Sequence, residues 1–449
     1  MNERDLLAEA DARALRYLEG NNTRRVFPDA DAIAALSAFD EPLPQAGESA
    51  EGTLALLDDI GSPATTASNG PGYFGFVVGA TLPAASAAER LMVAWEKCAS
   101  SFLNSPVADK VERVAGRWVL EALDLPRECA VGFGTSATAC TLAALAAARR
   151  ELLAREGWDI DNDGLSGAPE INVVVSELVH ITVKKALRIL GFGMSRLIVA
   201  PVDAFGRVDV KQLPPLNART LLCLQAGEVN TGEFDPFAQI IPQAHDAGAW
   251  VHVDGAFGLW ARASSQAALT EGIELADSWT TDAHKWLNTP YDCAMVICRN
   301  PQALAGAMNS DAVYMSASAD AQKNLTLEFS RRPRGIPVWA ALRVLGREGV
   351  REMIDRHCML ARVISEGLTK HGFDVLNRVV INQVLFRCES DAQTEAVLAA
   401  AQASGKTWFG STRWQGRPAL RLSVSSWRTQ REDVDALLAL LAKINTESQ

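Results

Sequence analysis

The sequence predicts an α/β protein with a mostly parallel central sheet covered by helices on both faces, preceded by a helical arm and followed by a small α+β domain. Three observations predict it. From residue 129 the chain repeats strand, turn and helix; its strand segments, such as INVVVS and TLLCLQ, are near-continuous apolar runs suited to burial on both faces; and past Lys370 short strands mix with two helical segments.

Taken in order, residues 1–60 alternate short helical patterns with Pro- and Gly-containing breaks and read as an arm packed on something larger. The large domain is expected over 61–305. It opens with the aromatic-rich GYFGFVVGATLPAA and two helical patterns, ERLMVAWEKCASSFL and DKVERVAGRWVLEAL. The repeated units follow: AVGFGTSATA into TLAALAAARRELLARE, INVVVS into ITVKKALRIL, then RLIVAPVD, TLLCLQAG into PFAQIIPQAHDAG, WVHVD, SWTTDAHK and CAMVICR. A polar stretch over 306–335 reads as a mobile loop and linker. The small domain, 336–449, starts on a long helix from Val338 to Lys370.

Composition narrows the function. Of 449 residues, 48% are hydrophobic and 22% charged, a globular balance, and a net charge of −11 gives no basic face for nucleic acid. Eight scattered cysteines form no CxxC pair and suggest buried thiols of a reducing compartment; no metal-ligand spacing is present. The N-terminus has no signal-peptide core, and no apolar run approaches membrane-spanning length, so the expectation is a cytoplasmic protein without a membrane partner.

Ligands of parallel sheets bind outside the carboxyl ends of the strands. That rule places the loops at 134–138, 177–180, 227–232, 254–256 and 282–285 on one rim, although they are far apart in sequence. Ser136, Ala137 and Thr138 open a helix where N–H groups and the positive helix end welcome an anion. His180 stands at the mouth of the next helix, a flat ring able to stack on a planar group and to move a proton. Asp254 ends an apolar strand and needs a cationic partner. Lys285 follows another strand, 31 residues on. An acid for a ring nitrogen and an amine for an aldehyde are the two groups a pyridoxal 5'-phosphate (PLP) site requires. No GxGxxG opens a helix after a strand, which disfavours a nucleotide-binding oxidoreductase.

The chain resembles the PLP-dependent group II amino-acid decarboxylases, the aromatic-amino-acid and glutamate decarboxylase family, from about residue 60 to 440. The motifs that carry the likeness are GYFGFV, NSPVADKVE, TSATACTLAALAAAR, SELVHITVKKA, AGEVNTGEFDP, WVHVDGAFG, ADSWTTDAHKWLNTPYDC, SRRPRGIPVWAALRVLG and RLSVSSWRTQREDVD. The resemblance implies a fold-type I PLP enzyme, a homodimer with active sites at the subunit interface. It implies Lys285 as the Schiff-base lysine, Asp254 as partner of the pyridine nitrogen, His180 as the stacking histidine and Ala256 as the small residue against the ring. Ala137 and Thr138 match phosphate contacts, with Asp282 and His284 close by. Two departures stand out. Glu228 replaces a hydroxyl that usually faces the cofactor, and the loop tyrosine thought to protonate the carbanion has its counted place near Gln322, leaving Tyr314 as the one tyrosine of the region.

The expected activity is decarboxylation of an L-amino acid with an aromatic or apolar side chain. Tyr73, Phe74, Phe76 and Phe102, with Trp95, are candidate apolar walls, and Arg334, beside Arg331 and Arg332, is a candidate for the substrate carboxylate. His180 or Tyr314 would protonate Cα. Alternatives are decarboxylative oxidative deamination to an aldehyde, an aldol-type carbon–carbon lyase, and a non-catalytic binding protein on the same fold.

Overall fold

The computed structural model of the protein describes residues 2–309 and 320–447. Its chain forms two compact units, one of Met1–Ala80, Leu360–Leu376 and Val384–Gln449, the other of Thr81–Met359 and Asn377–Gln383. These cut across the linear division at 60, 305 and 335. The N-terminal arm belongs with the C-terminal segments because its backbone bonds to them: Val26 N–H donates to the Gly405 carbonyl (2.7 Å) and Phe74 N–H to that of Trp408 (2.8 Å).

The first unit opens with α1 (Glu3–Glu19), α2 (Ala30–Ala35) and α3 (Ala50–Leu56), each started by a side chain that accepts a first-turn N–H: Asn2, Asp29 and Ser49. In the second unit, α4 (Pro83–Trp95) and α5 (Pro106–Ala122) lead into β1 (Ala130–Gly134), α6 (Ala137–Arg155), α7 (Ile160–Asp163), β2 (Asn172–Ser176) and α8 (Ile181–Ile189). Then come β3 (Ile198–Ala200), β4 (Thr220–Gln225), α9 (Phe237–Asp246), β5 (Trp250–Asp254), β6 (Ser278–Asp282), β7 (Ala294–Cys298) and α10 (Pro301–Met308). α11 (Gly335–Lys370) starts three residues before the expected Val338 and is broken at Gly346, whose φ of 60° suits a residue without Cβ. β8 (Asp374–Val375), β9 (Gln383–Arg387), α12 (Asp391–Ala403), β10 (Gly410–Trp414), β11 (Arg417–Ser423) and α13 (Arg431–Glu447) complete the chain, with these strands ordered β10-β11-β9-β8.

The seven-stranded sheet has the order β1-β7-β6-β5-β4-β2-β3. Only β7 runs against its neighbours, so the other six strands point one way and end on one rim. Strands β4, β5, β6 and β7 are buried at every position, as their apolar and β-branched composition requires.

Polar residues inside this sheet fix its register. Ser278 Oγ lies 2.9 Å from His252 Nδ1 and accepts Trp250 Nε1–H (3.1 Å), tying β6 to β5; burial pushes His252 down to about 3, so the ring is neutral. Asp235 accepts Gln225 N–H (2.7 Å) and Val208 N–H (2.8 Å) at the end of β4, and burial raises its carboxyl to about 6. Arg331 and Glu112 form a two-pronged pair (2.7 and 2.8 Å) with side chains 0% and 1% exposed. The Arg331 guanidinium also donates to the carbonyls of Ala99 and Phe133, and Gly335 N–H donates to Glu112. Arg331 is therefore a structural tie joining α5, the end of β1 and the start of α11. Arg332 pairs with Glu89.

Among the described residues no helix is long and apolar enough to cross a membrane, and no cysteine is in a disulfide. Tyr314 and residues 310–319 of the expected gating loop lie outside the described residues.

Removing one partner of a fully buried, hydrogen-bonded pair strands the other charge, so Glu112→Gln is expected to cost about 3–5 kcal/mol. Urea unfolding monitored by circular dichroism measures this; a loss under about 1 kcal/mol, the level of a surface pair, would show the tie to be dispensable.

Candidate active site

The rim is built around Asp282, the last residue of β6. Its Oδ1 accepts the Ala137 N–H of the first turn of α6 (2.7 Å), its Oδ2 lies 2.9 Å from Lys285 Nζ, and its backbone N–H donates to the Ala256 carbonyl (2.8 Å). One buried residue thus joins three of the rim loops. Trp260 Nε1–H reaches the Asp282 carbonyl (3.4 Å), and Trp286, next to Lys285, is fully buried with its Nε1–H on His357 Nδ1 (2.9 Å). These indoles hold the backbone on either side of the amine.

One strand over, Asp254 ends β5 in a buried position, with its Oδ1 accepting Ala256 N–H (3.1 Å). Burial raises its carboxyl above the usual range, while the nearby His180 and Lys285 pull it down. Ala256 is half-buried between these contacts.

His180 starts α8. Thr182 N–H donates to His180 Nδ1 (3.4 Å), and Thr182 Oγ1 lies 2.6 Å from the same nitrogen. The backbone N–H of His180 donates to Gln225 Oε1 (3.2 Å). Gln225 was not anticipated as a site residue. It is buried, its Nε2 has no hydrogen-bond partner, and it is the in-register neighbour of Asp254. The signal was available: Gln225 is the polar last residue of an apolar strand, the same place Asp254 holds in WVHVD.

At the start of α6, Ser136 Oγ accepts Ala139 N–H (3.3 Å), while Thr138 is half-buried beside it. The first-turn N–H groups of this 19-residue helix leave an anion-attracting end on the rim. His284 stacks on Tyr291 (centroids 4.1 Å apart), accepts Cys293 N–H at Nδ1 (3.1 Å), and turns Nε2 toward Asp282 Oδ1 (3.5 Å).

The other expected residues have the following surroundings. Glu228 is buried, but Oε2 accepts Asn230 N–H, Thr231 N–H and the Thr231 hydroxyl (2.8, 2.7 and 3.1 Å) and Oε1 accepts Asn230 Nδ2 (2.9 Å), so its own turn engages the carboxylate expected to face a cofactor. Tyr73 and Phe74 are core residues of the first unit; Tyr73 stacks on Trp408 at 5.2 Å, and exposed Phe76 leans on the same indole. Phe102 and Trp95 are exposed rather than walled in. Arg334 Nε is paired with Asp292 (2.8 Å), and its buried Nη1 has no partner. Gln322, at the counted place of the loop tyrosine, accepts Phe133 N–H and donates to the Val131 carbonyl, holding the outer edge of β1.

An amine, a buried carboxylate one strand away, an orphaned amide beside it and a helix start on the same rim fit a molecule with an aldehyde, a cationic ring nitrogen and a phosphate. The model for the pyridoxal-dependent decarboxylase conserved domain matches residues 35–389. The chain belongs to this family. PLP is its cofactor, and its chemistry is decarboxylation, a carbon–carbon lyase reaction. Among curated relatives, the aromatic-L-amino-acid decarboxylase of Sus scrofa is 27% identical, over 92% of this chain and 90% of its own length. Phenylacetaldehyde synthase of Arabidopsis thaliana is 25% identical, over 84% and 83%. The solved structure of Oryza sativa TDC with PLP and tryptamine is similar in fold, with a TM-score of 0.91, 23% identity and coverage of 100% and 99%.

Burial lowers the pKa of His284, with Asp282 opposing. The unfolded chain takes up a proton near the ordinary 6.5 and the folded chain only at lower pH, so stability is lost as pH falls through that window. His284→Asn keeps an acceptor for Cys293 N–H and removes the titration; thermal unfolding across roughly pH 7 to 5 is expected to show a flatter decline than in the unsubstituted protein.

Proposed function

We propose that this enzyme decarboxylates an aromatic L-amino acid, with Lys285 as the cofactor-bearing amine. The observation that carries the reading is Lys285 Nζ held 2.9 Å from Asp282 on the same rim as the buried Asp254. The aromatic preference draws on the named activities of the relatives.

When bound, PLP supplies the electron sink for the bond broken at Cα. Lys285 would join its aldehyde, and Asp254 would keep its ring nitrogen protonated, a charge that also compensates the buried carboxylate. His180, anchored by Thr182 and Gln225, would lie against one ring face with Ala256 on the other. Ser136, Ala137 and Thr138 would hold the phosphate at the α6 start. Asp282 orients Lys285, His284 backs Asp282, and the unengaged Nη1 of Arg334 is available to a substrate carboxylate. His180 is the candidate proton donor to Cα, with Tyr314 the other.

We further read the enzyme as a cytoplasmic homodimer with its sites at the subunit interface, in keeping with eight cysteines outside disulfides. A second reading, decarboxylative oxidative deamination to an aldehyde, is favoured by one observation: Gln322, not a hydroxyl, occupies the counted place of the loop tyrosine and is tied to β1.

Purified protein supplied with PLP is expected to release CO2 and amine in equal amounts from L-tryptophan, L-tyrosine, L-phenylalanine or L-dopa. Ammonia and peroxide in step with CO2 would establish the second reading, and no product from any of the four would sink both. Lys285→Ala is expected to abolish the borohydride-fixed adduct on peptide ADSWTTDAHKW. Asp254→Asn is expected to lower kcat by roughly 10²–10³-fold, the usual cost of one preorganised electrostatic group, and an unchanged kcat would remove Asp254 from its role.

A further inference from the structure

The first unit contains a cavity of about 350 Å³ that shares no residue with the rim around Lys285. It is lined by the turn after α1, by residues 70–74, by the turn after α12 and by one face of α13. Its two sides differ in chemistry.

One side is apolar. Ala436, Leu437 and Leu440 project from successive turns of α13, and Val26 and Phe74 face the same space. The other side carries Arg24, Arg25 and Lys406, against a single carboxylate, Asp433, whose Oδ2 already accepts Gln430 N–H (2.8 Å). Arg25 donates to the Ala403 carbonyl (3.1 Å). Arg24 is otherwise placed. Its guanidinium stacks on the Tyr17 ring at 3.8 Å, which fixes the plane without engaging an N–H, and its Nε and Nη1 are buried without an acceptor. Three residues earlier, Asn21 is 3% exposed, and both its Oδ1 and Nδ2 lack partners. Asn21 lies in the 3₁₀ turn Gly20–Asn22 and Arg24 just after it, and both line the cavity.

Unpaired buried polar atoms are costly, and three of the four here, Arg24 Nε and Nη1 and Asn21 Nδ2, are donors that call for acceptors. The turns are also built for close approach. A Cβ at Gly70 would meet the Asn21 carbonyl at 2.8 Å, and one at Gly72 the Lys406 carbonyl at 2.9 Å.

We propose that this cavity is a second binding site, for a small organic carboxylate with an apolar body. The carboxylate accepts from Arg24 Nη1 and from Asn21 Nδ2, and the body packs on Leu437, Leu440 and Phe74. A carboxylate suits this wall because an ionised acceptor makes a charge-assisted bond to a guanidinium N–H and its second oxygen remains for the amide of Asn21. The apolar face of α13 separates this ligand from a bare inorganic anion.

Phenylacetate is the probe, titrated into the full-length holoenzyme by calorimetry while cofactor absorbance reports occupation of the catalytic site. Binding without change in that absorbance is expected, together with a rise in Tm. Arg24→Met removes the guanidinium and is expected to weaken this event roughly tenfold or more; Ala436→Trp, at an exposed position on the cavity wall, blocks it without entering the core. Both variants should retain the wild-type circular dichroism spectrum, and Arg24→Lys should recover part of the affinity. Three results overturn the proposal: no heat beyond that tied to the absorbance change, affinity equal in wild type, Arg24→Met and Ala436→Trp, or saturable binding of inorganic phosphate with none of phenylacetate.

Discussion

The rim depends on the carboxylate of Asp282. Charge buried at 2% exposure is tolerated only when donors surround it, and here they come from the start of α6, from Lys285 and from His284. The same residue's backbone N–H fixes the Ala256 loop, and through it the position of Asp254. Three chain segments distant in sequence are therefore set by one side group and its amide, and the amine is held against an anion rather than left to water.

Around that junction, the sheet distributes chemistry by strand. β6 delivers Lys285, β5 Asp254, β4 Gln225, and the loop after β2 His180, in the lateral order the topology dictates. Neutral buried polar groups such as His252 and Ser278 hold this order without adding charge to the rim. Glu112 and Arg331 do the equivalent at the β1 edge, where a charge pair inside the unit links two helices to a strand.

Much of this was legible in the sequence. Apolar runs closed by Asp254, and by the charged stretch ending in Lys285, announced strands that stop at a reactive edge, and hydroxyls after Gly134 announced a capped helix. What was not legible depended on which side of a residue faces its neighbour. Glu228 has the right address for a cofactor contact, yet the N–H groups of Asn230 and Thr231 lie nearer and take its oxygens. Aromatic spacing could not tell a pocket wall from a core stack, which is what Tyr73 makes with Trp408. The arm's place beside the C-terminal strands rests on backbone hydrogen bonds between residues 26 and 405, which no local pattern records.

The two indoles near Lys285 have an optical consequence. Trp260 and Trp286 are shielded from solvent, and each is held rigidly by its ring nitrogen. A chromophore joined to Lys285 would sit within energy-transfer range of both emitters. Quenching of intrinsic fluorescence can therefore follow assembly of the holoenzyme in real time, with no label added to the chain.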